Sequence, residues 1–395
     1  MKGGDLMLHK IFSLIDEHFP EMVEIRRYLH QYPEVSFKET KTAKYIADYY
    51  EKLGIPYRTN VGGNGVIATL QGAKPGKTVA LRADFDALPI QDEKDVPYKS
   101  KIDGVMHACG HDGHTATLLV LAKVMKEFQD KLPGTIVFLH QHAEEYAPGG
   151  AKPMIEDGAL DGVDAVFGNH LWSTTPYGTL QTSKGAMMAG ADRFEITIQG
   201  KGGHGAYPHE TKDSIVIASQ LVTELQQIVS RRIDPVETVV ISVGMFQAGD
   251  AFNIIADSAK ITGTVRYFNQ DIQDKIIEEM EKIIKGLCIS NDASYQFDYV
   301  KGYPPLINHR NEAELVMQAS EDIKQIEHIQ EMNPSMASED FAYYMLEKPG
   351  AFFFTGAQVD ENPYPHHHPK FDFNEKAMAN AAKSLISAYL AYNQS

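Results

Sequence analysis

Short apolar strands alternate with helical segments in the first part of the chain, and this alternation limits the possible folds more than any other feature. Residues 13–53 have helical periodicity that breaks at Pro20 and Pro33, which predicts two or three helices before the first strand. The predicted elements that follow are strand 66–70, strand 78–83, helix 114–128, strand 136–139, helix 153–157 and strand 165–168. Such alternation is typical of right-handed crossovers, so we expect an α/β fold with a mostly parallel sheet covered on both faces.

A different order of elements begins near residue 184 and predicts an inserted domain. Its elements are strand 192–199, helix 214–230, strand 238–246, strand 259–268, helix 272–287 and strand 294–300. The order βαββαβ is that of the ferredoxin-like split βαβ sandwich, an α+β fold. We therefore expect residues 184–302 to interrupt an α/β domain made of residues 1–183 and 303–395. The last part is predicted to contain helix 312–326, strand 351–354 and helix 375–392.

Composition excludes several classes of function. The chain has 37 Lys and Arg against 53 Asp and Glu, a net charge of −16, which argues against nucleic acid because backbone phosphates need a basic surface. No apolar run approaches the roughly 18 residues of a membrane span, and His9, Lys10 and Asp16 interrupt the first apolar segment. We expect no membrane partner and a cytoplasmic protein. Two cysteines are too few for a disulfide framework.

Polar side chains of the kind that bind metals follow three of the predicted strands. Asp84 and Asp86 end the first, residues 140–145 (HQHAEE) end the second, and Asn169 with His170 ends the third. Ligands bind at the carboxyl edge of an open α/β sheet, so these side chains are predicted to converge on one site.

The segment 107–114 (HACGHDGH) adds a cysteine to this site. Cys109 precedes a predicted helix, where amide groups and the helix dipole favour a thiolate, and three histidines flank it. We interpret Cys109 and His111 as metal ligands. The other cysteine, Cys288, is predicted to be a small buried residue of its helix.

Two further patterns supply a base and more ligands. Glu144 and Glu145 are adjacent, so in an extended segment they are expected to point to opposite faces, one binding metal and the other facing a water molecule. The run 366–368 (HHH) precedes 27 more residues that include an apolar helix, so it belongs to the fold. At least one of these histidines is expected to bind metal, because the other candidates undersupply a two-metal site.

The inserted domain contains a glycine-rich turn, 200–205 (GKGGHG), that formally matches a dinucleotide-binding loop. No helix follows it at once, and the acidic residue about 20 positions on, Glu224, falls inside a helix, so a nicotinamide-dependent oxidoreductase is disfavoured. The glycines are instead expected to leave His204 on a flexible turn, free to donate a hydrogen bond outside its domain. Asn253 and Arg266 are the remaining polar candidates there.

Seven motifs recur together in one known family. They are 27–34 (RYLHQYPE), 82–89 (RADFDALP), 107–114 (HACGHDGH), 144–145 (EE), 168–172 (GNHLW), 200–204 (GKGGH) and 367–371 (HHPKF). With them the chain resembles the M20 metallopeptidase superfamily over nearly its whole length. It is most similar to the amidohydrolase branch, which includes hippurate hydrolases, auxin-conjugate hydrolases and N-acyl-amino-acid deacylases.

The resemblance implies a role for each site residue. It implies that two divalent metals share the Cys109 thiolate. The ligand types leave the metal open, Mn²⁺ or Zn²⁺ with Ni²⁺ or Co²⁺ as alternatives, since thiolate suits Zn²⁺ while carboxylate and imidazole admit the others. The implied metal ligands are Cys109, His111, Glu145, His170 and His367. Glu144 is then the base and Asp86 the carboxylate that orients a ligand. His367 is chosen because the family places the ligand two residues before the proline, and His366 and His368 stay as alternatives.

The implied reaction is hydrolysis of the amide bond of an N-acyl amino acid. Asp84 and Cys109 replace a His and an Asp of the peptidase branch, which favours this substrate over the alternative, a dipeptide. His204 is implied to stabilise the oxyanion from the partner subunit of a homodimer, with the inserted domain as lid and dimer interface. Asn253 and Arg266 are implied to bind the substrate carboxylate. The competing class is a non-catalytic metal-binding protein. Such a protein would be expected to lack Glu144 or one of the metal ligands, and this chain has all of them.

Overall fold

The computed structural model describes residues 3–394 and divides into two compact units. The first unit comprises the chain up to Met187, Ile307–Asn333 and the chain from Asp340 onward, and the second comprises Met188–Leu306 and Pro334–Glu339. The helices are α1 (Gly3–Glu17), α2 (Phe19–Gln31), α3 (Thr40–Leu53), α4 (His111–Lys126), α5 (Ala151–Glu156), α6 (Ser214–Gln227), α7 (Gln273–Ser290), α8 (Arg310–Ala319), α9 (Ala342–Glu347) and α10 (Ala377–Tyr392). No helix among residues 3–394 combines the length and apolar character that crossing a membrane requires.

The strands are mostly short. They are β1 (Tyr57–Val61), β2 (Gly65–Gln71), β3 (Lys74–Asp84), β4 (Pro133–Gln141), β5 (Ala165–Trp172), β6 (Thr179–Thr182), β7 (Ala186–Met188), β8 (Gly190–Gln199), β9 (Gly203–His204), β10 (Val239–Ala248), β11 (Ile254–Ile255), β12 (Ser258–Tyr267), β13 (Ser294–Tyr303), β14 (Leu306–Ile307), β15 (His328–Glu331) and β16 (Gly350–Gly356).

An eight-stranded sheet forms the centre of the first unit. Its order is β1-β2-β4-β3-β5-β16-β6-β15, and the four middle strands β4, β3, β5 and β16 run parallel to one another. The last six residues of β3 and all of β16 are buried, as expected of parallel strands covered on both faces. The prediction of an α/β fold with a mostly parallel sheet is confirmed.

Helix α4 is the central helix of this unit, and it carries ligand-type residues at its beginning. Of its 16 residues, 14 are buried, and it packs against α2, α10 and β3. Its core residues, such as Leu118 and Leu121, are fully buried in the same apolar cluster as Val79 and Leu81 of β3. This packing holds the start of α4 beside the carboxyl ends of β3 and β4.

The second unit has the predicted ferredoxin-like topology. Its antiparallel sheet has the order β10-β12-β8-β13, and α6 and α7 pack against it around a separate apolar core that includes Cys288. The assignment of this unit as lid and dimerisation domain stays a prediction.

The differences from the predicted elements concern short or irregular segments. Helix α8 ends at Ala319, although the apolar spacing predicts a helix up to residue 326. Ile323 and Ile326 keep that spacing, but they lie in two successive tight turns. The strands outside the predicted elements are β1, β6, β7, β9, β11, β14 and β15; four of the five residues of β1 are exposed, so it has no apolar pattern.

Candidate metal centre

Cys109 lies at the turn that starts α4. Gly110 follows it with φ of 99°, a left-handed conformation that glycine adopts without steric cost, and α4 begins at His111. The sharp turn places the Cys109 and His111 side chains on the same site. Burial, followed by the charges of Glu145 and Glu144, raises the pKa of the Cys109 thiol well above its usual value. A cation beside the sulfur would offset these effects and favour the thiolate.

His111 has one ring nitrogen fixed and the other available. Its Nδ1 donates to Asp86, 3.0 Å from the backbone oxygen and 3.1 Å from Oδ1. Its Nε2 is buried and has no hydrogen-bond partner among the described residues. Burial lowers the pKa of His111, but Asp84 and Asp86 outweigh it and raise that pKa to about 10. The carboxylate–imidazole pair with a free Nε2 is the usual arrangement of a histidine metal ligand.

His170 completes a first group of three ligand-type atoms. Its Nδ1 donates to the Leu171 carbonyl at 2.9 Å, which leaves the Nε2 lone pair facing the Cys109 sulfur at 3.4 Å. Ligand atoms of Cys109, His111 and His170 all lie within 4.8 Å of one another. The strand predicted for residues 165–168 continues to Trp172 in the structure, so His170 lies inside β5.

Glu145 and His367 form a second group that again includes Cys109. The His367 Nε2 lies 3.3 Å from the Glu145 Oε1, and ligand atoms of the three residues lie within 4.8 Å of one another. His367 has φ of 65°, and its backbone N–H donates to the Ala108 carbonyl at 2.8 Å. The two groups therefore meet at one sulfur atom, and together they contain the five predicted ligands.

The two adjacent glutamates lie on the same side of the site, so the expectation that they face opposite ways is wrong. Glu144 Oε2 and Glu145 Oε1 each lie 3.9 Å from the His111 Nε2. The reason is local: β4 ends at Gln141, Ala143 has φ of 53°, and Glu144 and Glu145 lie in a bend, so the extended backbone on which the expectation depended is absent.

These donors fit divalent cations. The unpartnered His111 nitrogen is aimed at a cluster of carboxylates, imidazoles and one thiol, and this mixed set suits Zn²⁺ while its nitrogen and oxygen atoms also admit Mn²⁺. Excess acidic charge around His111 attracts cations to the same place.

The other two histidines of the triple run are used differently. His366 accepts a hydrogen bond at Nε2 from the Ser173 amide, so its protonated Nδ1 faces the Cys109 sulfur at 3.8 Å. The His368 ring stacks on Tyr364.

One supporting pair at the centre, His114 and Asp84, lies outside the predicted ligand set, although both residues lie in the sequence motifs. His114 donates from Nδ1 to Asp84 at 2.6 Å and accepts at Nε2 from the Leu171 amide at 2.9 Å. Leu171 follows His170, so this pair holds the strand that carries a candidate ligand.

The three remaining predicted residues belong to the second unit. His204 ends strand β9, which pairs with β11, so the expectation that it lies on a flexible turn is wrong. The short ribbon forms because Gly205 donates to the Asn253 carbonyl at 2.8 Å, which brings His204 and Asn253 together. Arg266 lies separately in β12, where its guanidinium donates to the hydroxyl of Thr264.

Comparison with known proteins agrees with this geometry. Residues 80–391 match the model of peptidase family M20/M25/M40. YhaA of Bacillus subtilis is 56% identical over 387 residues, 98% of each chain. An N-acyl-L-amino acid amidohydrolase of Geobacillus stearothermophilus is 48% identical over 76% of this chain and 81% of its own. The crystal structure of B. subtilis YXEP, described as a dinuclear metal binding peptidase, has a TM-score of 0.83 at 33% identity and covers 96% of this chain and 99% of its own.

The match extends over most of the chain, and its residues include all those of the metal centre. The protein is a hydrolase of amide bonds that binds divalent metal, and it belongs to peptidase family M20/M25/M40.

Proposed function

We propose that the protein hydrolyses N-acyl amino acids to a carboxylic acid and a free amino acid, with two divalent metals, Mn²⁺ or Zn²⁺, at the Cys109 centre. The observation that carries the proposal is the pair of three-residue groups that meet at one sulfur, with the Glu144 carboxylate beside them. The similarity to an N-acyl-L-amino acid amidohydrolase over three quarters of the chain supports the substrate class.

Each metal has its own set of ligands in this proposal. Cys109, His111 and His170 would hold one ion, and Cys109, Glu145 and His367 would hold the other. Asp86 fixes the His111 ring through Nδ1 and so keeps Nε2 available. When bound, such metals supply Lewis acidity, which polarises an amide carbonyl and lowers the pKa of water.

Glu144 is the proton carrier of the proposed reaction. Its carboxylate takes a proton from the attacking water as the water oxygen bonds to the amide carbon, and then gives that proton to the leaving nitrogen as the C–N bond breaks. Glu144 is 7% exposed, and its Oε2 lies 3.9 Å from His111, so it can reach the site without taking a place in either three-residue group.

Residues of the second unit complete the proposal on sequence grounds. Arg266 and Asn253 are assigned to the substrate carboxylate, since a guanidinium binds carboxylates in a two-pronged manner. His204 is assigned to the oxyanion, donated from the partner subunit of a homodimer.

A panel of substrates with metal removal tests the proposal. The chelated protein should be inactive towards N-acetyl and N-benzoyl amino acids, and Mn²⁺ or Zn²⁺ should restore activity, with Ni²⁺ and Co²⁺ as further arms. Dipeptides are included because a structural neighbour is described as a peptidase. If dipeptides were hydrolysed faster than every acyl amino acid, dipeptides would replace N-acyl amino acids as the proposed substrates. Full activity without metal would refute the proposal.

A further inference from the structure

The two amide groups on either side of Glu144 are each held by a carboxylate. The Ala143 amide donates to Glu39 Oε1 at 2.8 Å, and the Glu145 amide donates to Asp86 Oδ2 at 3.0 Å. Ala143 is the left-handed residue of this segment, with φ of 53°. Because alanine avoids this conformation, the segment needs a contact that keeps it there.

Glu39 has the position and burial of a fixed support. It immediately precedes α3, its side chain is fully buried, and its second oxygen accepts from the Asn64 side chain at 3.0 Å. Both carboxylate oxygens are therefore engaged by N–H donors, and Glu39 is in none of the groups of metal-ligating atoms among the described residues.

The loop that leads to Glu39 also packs on the glutamate segment. Ser36 donates to Asp86 Oδ2 at 2.7 Å, the same oxygen that holds the Glu145 amide. The Phe37 and His142 rings meet in a T-shaped arrangement, with centroids 6.1 Å apart. Two direct contacts, and a third through Asp86, thus join residues 36–39 to the segment that carries Glu144.

We infer that Glu39 is a positioning residue, which aims the Glu144 carboxylate by holding the Ala143 amide in its left-handed conformation. The inference rests on the proposed role of Glu144. Without the Glu39 acceptor, the buried amide has no partner and Ala143 relaxes toward ordinary backbone angles. Glu144 then leaves its place, whereas Glu145 keeps its own anchor on Asp86.

The main test is Glu39→Ala, with kcat, KM and metal content measured together. We expect kcat to fall roughly 10- to 100-fold, since a displacement of about 1 Å costs up to about 10²-fold. KM and bound metal should stay near wild type, because the ligands and the substrate-binding residues are unchanged. Glu39→Gln should recover most of kcat, since its amide oxygen can accept from Ala143 while the Asn64 amide turns to accept from its NH₂ group.

Glu34→Ala is the matched control. Glu34 is an acid of the same segment, but its side chain accepts from the Lys41 and Thr42 amides at the start of α3 and makes no hydrogen bond to residues 142–145 in the described part of the chain. The Glu34→Ala substitution should lower the free energy of unfolding with little change in kcat. A purely structural role for Glu39 predicts that the Glu39→Ala and Glu34→Ala proteins behave alike.

A second variant tests the backbone argument directly. Glycine adopts positive φ without steric cost, so Ala143→Gly added to Glu39→Ala should recover part of kcat.

Equal kcat in Glu39→Ala and Glu34→Ala, with Glu144→Gln inactive, would overturn the inference alone. Wild-type activity in Glu144→Gln would overturn the proposed base and the inference with it.

Discussion

Replacing Asp86 by asparagine should weaken metal binding while keeping the shape of the site. The carboxylate accepts from three donors: His111 Nδ1 at Oδ1, and the Glu145 amide and the Ser36 hydroxyl at Oδ2. An asparagine has one oxygen, so its NH₂ group must face either His111 Nδ1–H or the Glu145 amide. The hydroxyl can turn to accept, but the two N–H donors cannot.

The size of the effect follows from this conflict. A buried donor without an acceptor costs roughly 1–3 kcal/mol. If the NH₂ group faces His111, Nδ1–H keeps only the Asp86 backbone oxygen at 3.0 Å as acceptor, and the tautomer with the proton on Nε2 becomes more favourable, but that proton occupies the lone pair that faces the ligand cluster. Metal binding must then reverse the change, so we expect metal affinity to fall roughly 10- to 100-fold, the usual effect of losing such a support.

Competition with a chromophoric chelator measures this affinity, and Asp192→Asn is the control. Asp192 is a buried carboxylate of the second unit that accepts from the Gly302 amide at 2.8 Å and the Tyr299 hydroxyl at 2.7 Å. Its replacement should reduce stability and leave the affinity unchanged. Metal affinity of Asp86→Asn within twofold of wild type would refute the reasoning.

Three further predictions follow. Glu144→Gln should keep metal and lose roughly 10²- to 10⁴-fold in kcat, whereas Glu145→Gln should lose metal; elemental analysis giving the reverse would exchange the two roles. Burial raises the pKa of Glu39 from 4.5 to about 7, so this residue's contribution to stability is lost as pH rises through that interval. As pH rises through that interval, the free energy of unfolding of Glu39→Gln should therefore increase relative to that of wild type, by at most about 3 kcal/mol, as measured by urea unfolding. A difference between the two proteins that stays constant with pH would contradict this. Glu144→Ala and His204→Ala proteins, each inactive, should regain some activity when co-refolded; a mixture that stays inactive despite subunit exchange would exclude a shared site.

The parts of the site that could be predicted lie at the ends of regular elements. Asp86 follows a buried apolar strand, His170 lies in the last part of another, and Cys109 precedes a helix, so element order alone brings them to one edge of the sheet.

Other parts depend on backbone angles and on contacts between residues far apart in sequence. Both glutamates lie in a bend that follows the left-handed Ala143, and nothing in the sequence of this segment signals the bend. The Glu39 contact joins residues 104 positions apart, from a loop without a pattern of its own. The glycines around His204 predict a turn, because a ribbon of two residues per strand is too short to leave a periodic signal.

Anomalous diffraction from crystals of the zinc-loaded protein tests the central claim most directly. Two peaks are expected, each about 2.3 Å from the Cys109 sulfur, one beside His111 and His170 and the other beside Glu145 and His367. A single peak, or two peaks that do not both touch this sulfur, would contradict a two-metal centre with a shared thiolate.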